Sequence, residues 1–248
     1  MVFDLLARSL RGKLPEGEVP EGTRVYAVGD IHGCLAQLER LHEMIRADAA
    51  QSSAERLVAV YVGDYIDRGP DCRGVVEHLL SAPLPGFETV YLRGNHEDFL
   101  LEFLEDPRRM SGWMMNGAAS TLSSYGVSLS ASAASEVRSE LRFNMPESHV
   151  AFYQSLVLWH LEGDYLFVHA GILPGVPIEE QEPKDLMWIR ERFLDSNQDH
   201  GKIVVHGHTP IEEPELRFNR IGIDTGAVYG GQLTALVLEA DSQRFLQA

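Results

Sequence analysis

The chain has 248 residues, 44% of them hydrophobic and 23% charged, which is enough apolar material for an ordinary globular core. A net charge of −16 with no Lys/Arg-rich run argues against a nucleic-acid partner, so a phosphate-bearing ligand has to be met by cations or a few placed arginines. Two cysteines, Cys34 and Cys72, are too few for a disulfide framework and fit free thiols in a reducing cytoplasm. Apolar runs fall far short of the roughly 20 residues of a membrane span. Met1 to Leu10 lacks the apolar stretch and cleavage site of a secretory leader. A soluble, cytoplasmic protein with no membrane partner is therefore expected.

Residues 1–23 read as an N-terminal arm ending in two turns, Pro15-Glu16-Gly17-Glu18 and Pro20-Glu21-Gly22. Arg24 to Val28 is a short β-rich run stopped by Gly29-Asp30. Leu35 to Ala49 carries Leu35, Leu38, Leu41 and Ile45 at helical spacing. Leu57 to Val62 is a continuous apolar run, as a strand buried on both faces requires, and it ends in Gly63-Asp64. A helix over Cys72 to Leu80 follows, then a strand over Thr89 to Leu92, then Arg93-Gly94-Asn95-His96 and a helix over Glu97 to Leu104. This repeated order of strand, polar loop and helix predicts βαβ units in a largely parallel sheet. In each unit the acidic and histidine residues fall just after the strand, at the sheet edge where ligands bind in open α/β folds.

The middle of the chain changes character. Ser111 to Ser135 is rich in Ser, Ala and Gly and reads as loops, with one weak helix over Ala133 to Phe143; a cap or insertion over the site at about 111–145 is one reading of this stretch. From Val157 the pattern is strand-rich: Val157–Leu161, Tyr165–Val168, Lys202–Val205, Arg220–Ile223 and Gln232–Glu239. These five are expected to form a second sheet packed on the first. The donors described next run from Asp30 to Asp224 and must converge, which favours one domain over 24–248.

Five clusters carry the chemistry: Gly29-Asp30-Ile31-His32-Gly33, Gly63-Asp64-Tyr65-Ile66-Asp67-Arg68-Gly69, Gly94-Asn95-His96-Glu97, His169-Ala170-Gly171 and His206-Gly207-His208-Thr209. An Asp after a strand is usually a cap or turn residue, and a lone His is usually just a polar residue. Five such clusters, four of them following predicted strands, are not explained by capping. Carboxylate, amide and imidazole donors without thiolates suit Mn, Fe or Zn rather than a structural cysteine-held zinc. His42, His78, His149, His160 and His200 stand alone and receive no role.

The order and wording of these clusters resemble the PPP-type metallophosphatases of the compact bacterial kind, in the calcineurin-like metallophosphoesterase superfamily, over roughly Arg24 to Val237. The resemblance implies an α/β/β/α sandwich, two mixed β-sheets flanked by helices. It implies two divalent metal ions, manganese first with iron or zinc as alternatives. One is held by Asp30, His32 and Asp64, the other by Asp64, Asn95, His169 and His208, with Asp64 bridging. In the same family pattern His96 protonates the leaving oxygen and Asp67 orients it, while Arg68, Asn95 and Arg190 hold the substrate phosphate. A carboxylate beside an imidazole raises its pKa and fixes its tautomer, and a guanidinium fork grips two phosphate oxygens at once. His206 is read as a structural neighbour of the ligand His208. In place of the eukaryotic Ser-Ala-Pro-Asn-Tyr loop the chain has Ile223-Asp224-Thr225-Gly226-Ala227-Val228-Tyr229-Gly230, with Tyr229 expected near the site.

The implied activity is hydrolysis of phosphate monoesters, phosphoserine or phosphothreonine in proteins and also phosphotyrosine, by direct attack of a dimetal-bound hydroxide. The partner is then a phosphoprotein or a small phosphate ester. The alternative is a symmetric dinucleoside-tetraphosphate hydrolase of the same superfamily, a resemblance carried by Gly33-Cys34. A catalytically dead scaffold is disfavoured because no ligand, acid or arginine is missing. A nucleotide-binding module lacks both the Gly-x-x-x-x-Gly-Lys-Ser/Thr and the Gly-x-Gly-x-x-Gly pattern.

Overall fold

The computed structural model describes residues 15–129 and 133–248. Residues 1–14 of the expected N-terminal arm lie outside the described residues. The first sheet has the order β10-β9-β1-β2-β3, where β1 is Thr23–Val28, β2 Arg56–Tyr61, β3 Glu88–Tyr91, β9 Thr234–Glu239 and β10 Ser242–Gln247. β1, β2 and β3 run parallel, with Val25 opposite Val58 and Val60 opposite Val90. β9 and β10 are antiparallel additions on the other side of β1. The second sheet has the order β4-β5-β6-β8-β7: β4 Trp159–Glu162, β5 Tyr165–Val168, β6 Ile203–His206, β7 Glu215–Arg217 and β8 Arg220–Gly222. Here β5, β6 and β8 are mutually parallel.

Alternation along the strands sets the layers. In β1, Val25 and Ala27 meet the second sheet's Tyr165, Phe167, Val205 and Ile221 in a core between the sheets. Tyr26 and Val28 face the other way, onto α1 (Leu35–Ala49) through Leu38, Leu41 and Ile45, and onto α2 (Cys72–Leu80) through Val75, Val76 and Leu79. The far side of the second sheet is covered by α8 (Pro183–Trp188) and α9 (Glu191–Leu194), where Leu186, Ile189 and Phe193 bury Leu166, Val168 and Val204. The result is the expected α/β/β/α sandwich.

Two expectations are corrected. Thr234–Glu239 joins the first sheet rather than the second, pairing antiparallel with β1 through Tyr26–Val237 and Val28–Ala235. Its continuous apolar run suits either sheet, and only the long-range pairing decides. The stretch read as loops is helical over α4 (Met110–Met114) and α5 (Ala118–Ser124), followed by α6 (Ala134–Asn144) close to where a helix was expected. Small residues obscure the period, but Trp113, Ala118, Leu122, Val137 and Leu141 are buried in the same cluster as α1, α2 and α3 (Asn95–Glu105). α7 (Glu147–Ser155) was not anticipated.

Candidate active site

Six parallel strands each deliver a polar residue just past their carboxyl end: Asp30 after β1, Asp64 after β2, Asn95 after β3, His169 after β5, His208 after β6 and Asp224 after β8. Because both sheets have these ends on one side, the loops converge at one edge of the sandwich. Asp30, His32, Asp64, Asn95, His169 and His208 are all buried there.

Two groups of donor atoms form within this cluster. Asp64, His169 and His208 make one, and His32, Asp64 and His96 the other, so Asp64 belongs to both. His169 Nε2 lies 3.0 Å from Asn95 Oδ1 and 3.4 Å from Asp64 Oδ2, while His208 Nδ1 lies 2.9 Å from the same Asn95 oxygen. His32 Nε2 lies 3.5 Å from Asp64 Oδ2. His32 Nδ1 donates to the Ile66 carbonyl at 2.7 Å and His169 Nδ1 to the Val62 carbonyl at 2.9 Å. These bonds leave each Nε2 as a lone pair turned inward.

A lone pair facing carboxylate and amide oxygens is a mismatch that a cation resolves. Protonation is the alternative remedy: burial opposes charge on His169, yet Asp64 outweighs it and pushes the imidazole up to about 9. Burial holds His32 down at about 3, and burial with the adjacent His169 holds His208 at about 2. Burial and the neighbouring Asp224 push Asp30 well above the carboxylate range, and its Oδ1 is a buried oxygen with no hydrogen-bond partner. Burial raises Glu97 to about 7 and Asp224 to about 6. Buried carboxylates, imidazoles kept neutral at His32 and His208, and an orphaned oxygen around one point fit hard or borderline divalent cations.

Beside the donors, His96 Nδ1 lies 2.6 Å from Asp67 Oδ2, and His96 Nε2 has no partner and sits 3.9 Å from Asp64 Oδ2. Burial works against protonation of His96, but Asp64 and the hydrogen bond that Nδ1 donates to Asp67 more than offset it and raise its pKa. Asp67 is itself held: Trp113 Nε1 donates to Oδ2 at 2.7 Å and Thr121 Oγ1 to Oδ1 at 2.5 Å. Arg68 Nη1 donates to His32 Nε2 at 2.6 Å, and its own backbone N–H bonds to the Gly117 carbonyl at 3.1 Å. Gly117 has φ of 101°, and a side chain there would come within 2.7 Å of Arg68 Cγ, so only glycine fits. Arg190 is exposed, with Nη2 3.5 Å from the His208 carbonyl.

His96, rather than Asp30, stands in one donor group with His32 and Asp64, while Asp30 Oδ2 accepts the His208 backbone N–H at 2.9 Å, so the expected donors are all part of the cluster. His206 is not: its Nδ1 lies 3.1 Å from the Gly207 carbonyl, its Nε2 faces Arg220 at 3.3 Å, and its ring packs on Phe193. Sequence reasoning missed four contributors. Glu97 accepts the backbone N–H groups of Asp64, Tyr65 and Gly94 at 2.8–3.0 Å and so fixes the loop that carries Asp64. Its place in the third cluster was the available signal. Trp113 and Thr121 had none, being far from Asp67 in the chain. Asp224 stood at the end of the donor span without a role. Backbone strain marks the site too: His32, Asp64, Asp67, Arg68 and His208 have φ between 45° and 70°. Only Ala82 and Ala240 share this among the described non-glycine residues.

The Calcineurin-like phosphoesterase family matches residues 23–233, from β1 through the loop after β8. The chain is 29% identical to the asymmetrical bis(5′-nucleosyl)-tetraphosphatase PrpE of Bacillus thuringiensis, over 84% of this chain and 88% of that protein. It is 32% identical to serine/threonine-protein phosphatase 1 of Salmonella typhimurium, over 88% and 93%. A solved structure of a candidate diadenosine tetraphosphatase superposes with a TM-score of 0.60 at 24% identity, covering 96% of this chain and 97% of that one, and this likeness speaks for the fold. The match takes in every loop that bears a donor, and the chain belongs to the calcineurin-like phosphoesterase family, whose fold implies a dinuclear divalent-metal site into which these clustered Asp and His side chains fit.

Proposed function

We propose that the chain is a two-metal phosphohydrolase of bis(5′-nucleosyl) tetraphosphates, working in the cytoplasm with Cys34 and Cys72 as free thiols. The support for this substrate class is the run of tetraphosphatase relatives, among them one from Oceanobacillus iheyensis at 30% identity over 86% of this chain. The tetraphosphatases are named asymmetrical, whereas the sequence reading had weighed a symmetric cut. In this reading Asp30, His32 and Asp64 hold one cation and Asp64, Asn95, His169 and His208 the other. Manganese is the first candidate, with iron or zinc as alternatives. The chemistry such a pair supplies is activation of a water molecule and neutralisation of phosphoryl charge.

The chain's own residues do the rest. Arg68 and Arg190 flank the donors and grip the phosphate with Asn95; Asp64 is shared between the two groups; His96 delivers a proton from Nε2 to the departing oxygen while Asp67 holds Nδ1. Residues 24–248 act as one domain, and 111–145 serves as a buttress for Asp67 and Arg68 rather than a cap. The observation that carries hydrolysis is the unpartnered His96 Nε2, buried and aimed at the shared carboxylate.

A second reading, phosphoserine or phosphothreonine hydrolysis, is favoured by the same histidine. An alkoxide leaves poorly without a proton, whereas a phosphate leaving group needs one less. Incubation with diadenosine tetraphosphate and, separately, with a phosphoseryl peptide decides between them. Release of ATP with AMP at the higher kcat/KM supports the first reading. Two ADP would restore the symmetric cut, and faster phosphate release from the peptide would replace the first reading with the second.

A further inference from the structure

We propose that Tyr229 is the platform on which a nucleobase of the substrate stacks. The inference rests on the nucleotide reading above and assigns the residue that would recognise the base. Tyr229 is 65% exposed, and the Arg68 guanidinium carbon lies 5.9 Å from its ring centroid. Arg68 in turn touches His32 Nε2, so an open aromatic face stands one guanidinium away from a donor of the site.

The backbone that carries the ring is held in place. It sits on a single 3-10 turn, Ala227–Tyr229, between Gly226 at φ 67° and Gly230 at φ 91°. The Tyr229 N–H bonds to the Gly226 carbonyl at 2.8 Å, and the Gly226 N–H bonds to Asp224 Oδ1 at 3.0 Å. Thr225 Oγ1 lies 2.6 Å from both the Gln232 carbonyl and Thr234 Oγ1, tying the loop to β9. A turn held this firmly fixes where the ring is anchored, and at 65% exposure the ring, with Arg68 over one face, keeps surface open for a planar partner. Phe143 is exposed too, at 89%, but belongs to α6 and has no link to the donors.

Two further features fit a nucleoside at this place. Ala227, Val228 and Gly230, the neighbours of Tyr229, line an apolar groove of about 520 Å³ together with Gly33, Cys34 and Pro70; Tyr229 does not line it but stands at the turn that borders it. Glu39 and Asp71 also border that groove. Carboxylates there disfavour additional phosphate but accept hydrogen bonds from a neutral base or a ribose.

The test compares AMP with ribose 5-phosphate, which is AMP without its base, as competitive inhibitors of β-glycerophosphate hydrolysis by the metal-loaded enzyme. AMP should bind roughly 10-fold tighter than ribose 5-phosphate, as stacking on one aromatic ring provides. In Tyr229→Ala that ratio should collapse to one, while Tyr229→Phe keeps it and Phe143→Ala leaves it alone. Because the readout is a ratio, a general loss of phosphate grip cancels. A ratio near one in the unchanged enzyme, or a ratio that survives in Tyr229→Ala, overturns the proposal. Failure to cleave diadenosine tetraphosphate with the ratio intact would instead remove the substrate reading and leave the platform standing.

Discussion

The molecule buries two kinds of histidine, and burial alone does not tell them apart. Away from the site, His42 is fully enclosed, with Nδ1 2.9 Å from His78 Nε2 and Nε2 2.8 Å from the Tyr61 hydroxyl. His149 likewise meets the Tyr125 hydroxyl at 2.7 Å, and Tyr125 meets Tyr153 at 3.2 Å. These rings have hydrogen-bond partners and ordinary helical backbone, as residues of α1 and α7. In the site, His96 and His208 each keep an unpartnered Nε2, and His32 and His208 sit on strained backbone. Unfilled valence at His96 and His208 and strain at His32 and His208, rather than low exposure, set these three apart from His42 and His149, while His169 is recognised by its neighbours Asp64 and Asn95.

The sharpest way to break this contrast is at the shared carboxylate. Asp64→Asn removes the charge common to both donor groups. It should cost ~10³-fold or more in activity together with both cations. Elemental analysis beside the rate checks this, and a variant with full metal content and full rate would take Asp64 out of the centre. His96→Asn should lower turnover by about 10²–10⁴-fold while metal content stays; parallel loss of metal would make His96 a ligand instead of the acid. Trp113→Phe removes one of the two side-chain donors that hold Asp67 besides His96 and should reduce turnover about 10-fold, with an alkaline limb of the kcat profile that moves because the support of the acid His96 has changed. A profile that does not move would mean that Asp67 needs only Thr121.

The smallest effect is expected in the satisfied group. Burial, with His78 next, lowers the His42 pKa from 6.5 to about 3. The unfolded chain therefore takes up a proton near pH 6.5 that the folded chain refuses, and stability is full above pH 6.5 and falls as pH drops toward 3. At pH 5 the His42 share of that loss is about 2 kcal/mol. His42→Leu should leave activity unchanged at pH 7 and make urea unfolding less sensitive to pH between 7 and 5. An unaltered pH dependence would show that the ring titrates freely in the fold.

How much of this was legible in the chain depended on distance in sequence. Leu35–Ala49 and Cys72–Leu80 were read with their ends in place because local periodicity and the residues before them suffice. The donors were legible because each lies within a few residues of a strand end and a glycine. The sheet of Thr234–Glu239 was not, since its partner β1, adjacent in the fold, is far away in sequence. Nor were Trp113 and Thr121, which reach Asp67 only after α4 and α5 pack beneath it. The left-handed backbone at Asp67, Arg68 and His208 left no mark in residue type, because it is imposed by surroundings rather than by propensity.

The position of β1 has a bearing on biosynthesis. It carries the first donor loop and is the middle strand of its sheet, flanked by β2 on one side and β9 on the other. As the polypeptide leaves the ribosome, β2 can join it early, but its opposite edge stays open until Thr234–Glu239 has been made. During that interval the exposed edge offers a template for wrong pairing, and the hydrolytic centre lacks its Asp224 wall. A chain that stops short of β9 also lacks the Thr234 carbonyl that holds the Gly29 N–H at 3.0 Å, next to the first donor, Asp30.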